Sequence, residues 1–283
     1  DSAIFTIRGI GVNDSDPYVG TTVSVVVDGV PVGVNTAALM SLFDIERVEI
    51  LRGPQGTLFG ANTTGGVVNV VTKQPTGDAS GEAEVTVGNY GRLNANAIFN
   101  FPITDNLSGK LSVLHQGHDG FFRNFDTAKG EGLRLGKTDI TVLRGYLKYT
   151  RDNYDATLIG EFARSRNGSQ TSLSRCLAPC ATFVPGESDQ PINLRRGYSQ
   201  DQPDQNYKDS YAFTQNFDTG FGDVVSISSY REYNQDLFSD DDGTTRVLLQ
   251  TNRQSAQKQY SQELRGTIDI NDRAQLVIGG FGF

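Results

Sequence analysis

Few side chains in this 283-residue sequence are of the types that run catalysis or hold a metal, and their spacing suits neither task. The two histidines, His115 and His118, lie three apart in a stretch that alternates apolar and polar residues. On a strand that spacing points them to opposite faces, so they cannot share a metal ion. Cys176 and Cys180 have no histidine or further cysteine near them, too few ligands for a zinc centre. Asp240, Asp241 and Asp242 precede Gly243, yet setting that glycine sixth in a calcium loop puts Phe238 first and Leu249 twelfth, where carboxylates belong. No G-x-S-x-G elbow and no H-E-x-x-H pair occur. No lysine of a phosphate-binding loop follows a glycine run, and Gly9-Ile10-Gly11 lacks the third glycine of a dinucleotide fingerprint. The residues therefore predict no enzyme, no resident cofactor and no metal centre.

The elements that would hold any site are strands. With Gly 32, Phe 16, Tyr 11 and a single Met, the composition is that of a mainly β chain. A net charge of −8 argues against nucleic acid as a partner, because phosphate binding needs a basic face. No apolar run approaches the ~20 residues of a membrane-crossing helix. Short strands are expected at 4–7, 23–27, 47–51 and 67–72, one helical turn at 37–43, and loops at 12–22 and 29–36. After the linker 75–80, longer strands are expected at 82–89, 91–101, 107–118, 139–150, 154–165, 208–218, 224–235, 258–270 and 274–283. Leu107, Gly109, Leu111 and Val113 share one face, opposite Ser108, Lys110 and Ser112. Tyr154, Ala156, Leu158, Gly160 and Phe162 likewise oppose Asp155, Thr157 and Glu161. Each strand has about the ten residues that a tilted strand needs to cross a bilayer. Apart from the short first link at Asn89-Tyr90, tight turns (102–106, 151–153, 219–223, 271–273) alternate with long connections (119–138, 166–207, 236–257). That asymmetry suits a barrel whose two ends face different compartments.

Three segments carry a specific resemblance: FTIRGIG at 5–11, VSVVVDGVPV at 23–32, and ERVEILRGPQGTLFGANTTGGVVNVVTKQP at 46–75. In this order and spacing they resemble the plug signature of TonB-dependent outer-membrane receptors, and YSQELR at 260–265 resembles a recurrent barrel-strand motif of that family. The resemblance implies a small α+β plug at 1–76 followed, at 77–283, by antiparallel transmembrane β-barrel strands. These would be about nine of the ~22 strands of such a transporter, so the chain is read as a piece of a longer protein. It further implies uptake of a scarce nutrient, most often a ferric siderophore complex, with TonB (through a segment outside this chain) and outer-membrane lipid as partners. Plug loops would touch the substrate through Asn13, Asp14, Asp16, Tyr18, Val34 and Asn35. Arg8 and Arg52 would seat the plug against acidic groups of the wall, Glu263 being one candidate partner. In an oxidising outer setting Cys176 and Cys180 would form a disulfide.

A non-transporting surface adhesin or carbohydrate-binding β-sandwich shares the alternating strands and stays open on the residues alone. Only the barrel turns an apolar face to lipid. The intact protein is expected to require detergent for extraction and to shift its gel mobility on heating; solubility in plain buffer would favour the sandwich.

Overall fold

Valine dictates the first sheet. The computed structural model describes residues 5–12, 20–33, 42–124, 134–168, 196–197, 204–241, 249–271 and 273–283. Strands β1 (Val23–Val27), β2 (Val30–Val32), β3 (Ile45–Arg52) and β4 (Gly66–Thr72) form a four-stranded sheet in the order β2-β1-β4-β3. β1 and β4 run parallel, Val23 opposite Gly66 and Val27 opposite Val70. Val23, Val25, Val26, Val67, Val68 and Val70 are buried, so these central strands read as largely apolar runs, interrupted only by Ser24 and Asn69, rather than alternating ones. β3, at the edge, carries exposed Glu46 and Arg47 and half-buried Glu49 instead, charges that discourage pairing with another chain.

Two turns require their conformations. β1 and β2 are joined by Asp28 and Gly29 with φ of 50° and 82°, the pair of left-handed residues a two-residue hairpin needs. At Gly66, φ is 147° and a Cβ would run into the carbonyl oxygen of Leu51, so only glycine lets β4 start beside the end of β3.

Several expectations need correction here. The strand expected at 4–7 is reduced, among the described residues, to an isolated bridge between Ile7 and Ile10 around positive-φ Arg8 and Gly9. The helical turn expected at 37–43 falls largely on residues outside the described set, and Leu42 and Phe43 are not helical. A one-turn helix, α1 (Gly56–Phe59), stands instead inside the glycine-rich segment and stops at Gly60, φ 75°. β2 lies where a loop was expected, because Pro31 at its centre is tolerated on an edge strand.

The second sheet has nine strands: β5 (Ser80–Gly88), β6 (Arg92–Thr104), β7 (Leu107–His118), β10 (Thr138–Arg151), β11 (Tyr154–Asn167), β13 (Asp204–Asp218), β14 (Gly222–Asp240), β15 (Gln250–Asn271) and β16 (Ala274–Gly282). β8 (Phe122–Asn124), β9 (Arg134–Leu135) and β12 (Arg196–Gly197) form a small separate sheet between them in sequence. The nine lie side by side in chain order, every neighbour antiparallel. All nine expected strands are present. β14 and β15 extend well beyond their expected outer ends, at 235 and 258: the added part of β15 is polar on both faces and that of β14 sets Leu237 beside Phe238, so pairing continues although alternation has ceased.

One face of this sheet is apolar and bare. Leu111, Leu143, Leu147, Leu158, Phe162 and Phe213 are 37–44% exposed, and the register sets Leu147 opposite Leu158 and Leu158 opposite Phe213. A sandwich would cover such a face with a second layer; a membrane strand offers it to lipid. Aromatic clusters bound it: Tyr149, Tyr154 and Phe217 near the tight turns, and Phe162, Tyr211, Tyr230 and Tyr260 further out. Tyr154 to Phe162 is about 26 Å of strand at ~3.3 Å per residue, close to the height of an apolar barrel band. Among the described residues no helix is long and apolar enough to cross a membrane. Leu158→Arg is expected to cost about 2–4 kcal/mol of folding stability in lipid vesicles, the range for a cation near the bilayer midplane. Thr157→Arg, one residue earlier and facing inward, should cost under half as much; equal losses in urea titrations would contradict the assignment of faces.

Candidate functional site

The other face is polar, and the first sheet rests on it. A straight row of paired residues crosses this wall from β7 to β15: Ser112, Arg144, Glu161, Ser210, Arg231 and Gln259. Such a row arises because neighbouring strands present opposite residues on the same face. Two segments of the first sheet meet it. Arg144 Nη1 donates to the carbonyl oxygen of Phe43 at 2.9 Å, and its guanidinium stacks 4.4 Å from the Phe43 ring centre. Ser112 Oγ donates to Asp44 Oδ2 at 2.8 Å, and Lys110 Nζ donates to the same carboxylate and to the carbonyl oxygen of Lys73. At the other end of the row, Arg231 Nη1 and Gln259 Nε2 each reach the carbonyl oxygen of Pro31 at 3.0 Å.

The charges in this seat are almost dry. Arg144, Lys110 and Lys208 are 1–2% exposed and Glu161 is 4% exposed. Glu161 accepts from Arg144 Nε at 2.7 Å and from Lys208 Nζ at 2.6 Å, so one carboxylate joins two wall cations. Burying such groups is costly, and the cost is met only by a full set of partners. A third contact pins the end of β4: Tyr146 OH donates to Thr72 Oγ1 at 2.5 Å, and Thr72 Oγ1 donates to Asp28 Oδ2 at 2.7 Å. Burial holds the Asp28 carboxyl above its ordinary pKa, against the opposing hydrogen bonds from Thr72. The apolar contacts are shared too, since Val23, Val25, Phe43, Val68 and Val70 pack in one cluster with Val142, Ala163 and Tyr233 of the wall.

The residues expected to form the site fare differently. Asn13, Asp14, Asp16, Tyr18, Val34, Asn35, Cys176 and Cys180 lie outside the described residues. Arg8 and Arg52 are exposed, and neither makes an ion pair among the described residues. Glu263 pairs instead with Arg265 Nη1 at 3.2 Å. Two positions apart on β15, those side chains share a face and satisfy each other, which leaves Glu263 no call for Arg52. The cations of the seat run the other way, from wall to plug. Lys110 was legible as an inward residue; Arg144, Lys208 and Arg231 were detectable only as cations at inward positions of their strands.

With this geometry in view, the comparisons with known proteins are specific. The family model for the TonB-dependent Receptor Plug Domain matches residues 1–67, the part that contains the first sheet's first three strands. Residues 1–67 are the plug domain of a TonB-dependent receptor. The family is one of receptors rather than enzymes, and its members reside in the outer membrane. The pesticin receptor of Yersinia pestis is 34% identical over 149 residues, 52% of this chain and 22% of that receptor. The vitamin B12 transporter BtuB of Photobacterium profundum is 25% identical over 239 residues, 77% of this chain and 36% of the transporter. The crystal structure of the ferric yersiniabactin uptake receptor FyuA from Yersinia pestis superposes with a TM-score of 0.76 at 23% identity, covering 99% of this chain and 42% of that one. The chain thus spans well under half the length of these receptors.

Within the receptor fold, the first sheet is the plug and the polar face is the inner wall. Arg144→Met removes the donor to Phe43 and one partner of Glu161, a loss of about 3–5 kcal/mol for a broken buried pair. Amide exchange in β1 and β4 is expected to accelerate at least a hundredfold. Lys73→Met, which removes only the exposed 4.0 Å pair with Glu82, should change it little. Equal protection in the two variants would contradict the seat.

Proposed function

We propose that this chain is part of a receptor that carries a ferric siderophore complex inward across the outer membrane, energised through TonB. The observation that carries the reading is the plug sheet lodged on the polar face of a sheet whose other face is apolar. A plug that must be displaced is better held by exchangeable polar contacts than by a continuous apolar core. We assign the plug to residues 1–76 and the barrel strands to 77–283. In support, β4 ends at Thr72, β5 starts at Ser80, and among the described residues no strand pairs between the two sheets. The substrate contacts assigned above to Asn13, Asp14, Asp16, Tyr18, Val34 and Asn35, and the pairing of Cys176 with Cys180, belong to the same proposal.

The siderophore reading draws on the ferric yersiniabactin receptor and on the pesticin receptor among the relatives. A cobalamin cargo is the second reading, favoured by the B12 transporter that aligns with 77% of this chain. Uptake by cells expressing the whole receptor separates them, with radio-iron-labelled yersiniabactin and labelled cobalamin as probes. Iron uptake at least tenfold above that of cells lacking TonB is expected. Cobalamin uptake in its place would select the second reading, and no TonB-dependent uptake of either would overturn both.

A further inference from the structure

The apolar outer face of the nine-stranded sheet is interrupted at one place. Tyr211, Tyr230 and Tyr260 stand opposite one another across β13, β14 and β15. Two residues along each strand, toward the tight turns, come Phe213, Ser228 and Gln262. The next such row sets Gln215 opposite Ser226, and Ser226 opposite Leu264. All of them share the face of Leu158, which pairs with Phe213. Two carboxamides and two hydroxyls therefore lie inside the tyrosine boundary, on the side turned to lipid.

Hydrocarbon tails neither donate nor accept hydrogen bonds, so such groups must pair among themselves or with another protein. They pair in part. Ser228 Oγ donates to Gln262 Oε1 at 2.5 Å, and Gln262 Nε2 donates to Ser226 Oγ at 3.1 Å and to the Glu263 carbonyl oxygen at 3.0 Å. Gln215 Oε1 accepts from Tyr154 OH at 3.0 Å. Left over among the described residues are the Ser226 hydroxyl proton, the Gln215 amide donors and the second lone pair of Gln262 Oε1. Gln262 is exposed while Gln215, Ser226 and Ser228 are half-buried, so its carboxamide projects from the patch. Beside it, along the tyrosine rings, an open trough of about 600 Å³ is bordered by Phe213 and Ser228.

The leftover groups fit a copy of themselves. Two receptors inserted in the same direction are related by a two-fold axis along the membrane normal, which brings each side chain near the axis to its own copy at equal depth. A charged side chain would meet its like there, and this patch holds none. A carboxamide carries donors and an acceptor together, so Gln262 is able to bond to its copy, and the Ser226 hydroxyl meets the free lone pair of the facing Gln262. A lipid tail filling the trough would leave each of these groups without a partner.

We propose that the outer face of β13–β15 is a dimer seam, at which a second copy of the receptor docks within the membrane through Gln262, Ser226 and Ser228. The trough gives the facing copy room to approach closely, as small residues do between membrane helices.

The inference rests on the assignment of this face to lipid and is independent of the cargo. The intact receptor, labelled with donor or acceptor dye, is reconstituted in phospholipid vesicles. Energy transfer above that of randomly mixed monomers is expected, falling as lipid is added. Gln262→Leu with Ser226→Ala and Ser228→Ala should lower the lateral association constant at least tenfold while heat-modifiable mobility is kept. Leu264→Cys, with the receptor's other cysteines replaced by serine, should cross-link to its copy through a short bis-maleimide. Leu147→Cys, on the same face of β10, should not. A parent at the random level overturns the seam, as does unchanged association in the triple variant. Should that variant fail to fold, equal cross-linking at 264 and 147 overturns it. Equal losses for Leu158→Arg and Thr157→Arg would show separately that the face itself is misassigned.

Discussion

Charge that is buried must be partnered, and this constraint shapes the meeting of plug and wall. Lys110, Arg144, Lys208 and Glu161 are nearly inaccessible to water on the inner face of the sheet. A cation so placed on a strand flanked by solvent would be a liability. Here Asp44, the carbonyls of Phe43 and Lys73, and Glu161 supply the partners. Much of what the wall grips is plug main chain at strand ends, where carbonyls are free of the ladder. The wall therefore recognises the plug as a folded sheet more than as a set of side chains.

The same strands meet a second environment on their other side. Alternation sends Leu143, Leu147, Phe162 and Phe213 outward while Arg144, Glu161 and Lys208 point inward. A register slip of one residue would bring leucine to the seat and arginine to lipid, so the two faces fix each other's register. Glycine enters where backbones or rings crowd: Gly109 leaves room for the Phe101 ring, into which a Cβ would run.

Much of this was legible in the residues. Alternation located the nine wall strands, because a strand between lipid and polar interior carries a period of two. The valine-rich run defined β1 to the residue, since burial on both faces leaves Ser24 as its one polar residue. What stayed hidden has physical causes. The outer half of β15 is polar on both faces and that of β14 places Leu237 and Phe238 side by side, so the pattern fades while the hydrogen bonds persist. β2 carries a proline that argues against a strand unless its edge position is known. The seat was the hardest to foresee. Alternation shows that Lys110 points inward, but only the fold brings it to Asp44, 66 residues away in sequence. The glycine-flanked Arg52 drew attention by its motif, yet it is exposed on the edge strand.

Whether the plug is fastened to the wall through Asp44 and Lys110 is open to direct measurement. A double-mutant cycle of Asp44→Asn and Lys110→Met in the intact receptor, read by urea unfolding of the plug, isolates their pairwise coupling. A buried pair of this kind, in which Asp44 Oδ2 takes the Lys110 and Ser112 donors, predicts a coupling of about 2 kcal/mol or more. Additive losses, with coupling near zero, would mean that the plug does not sit on this face of the wall.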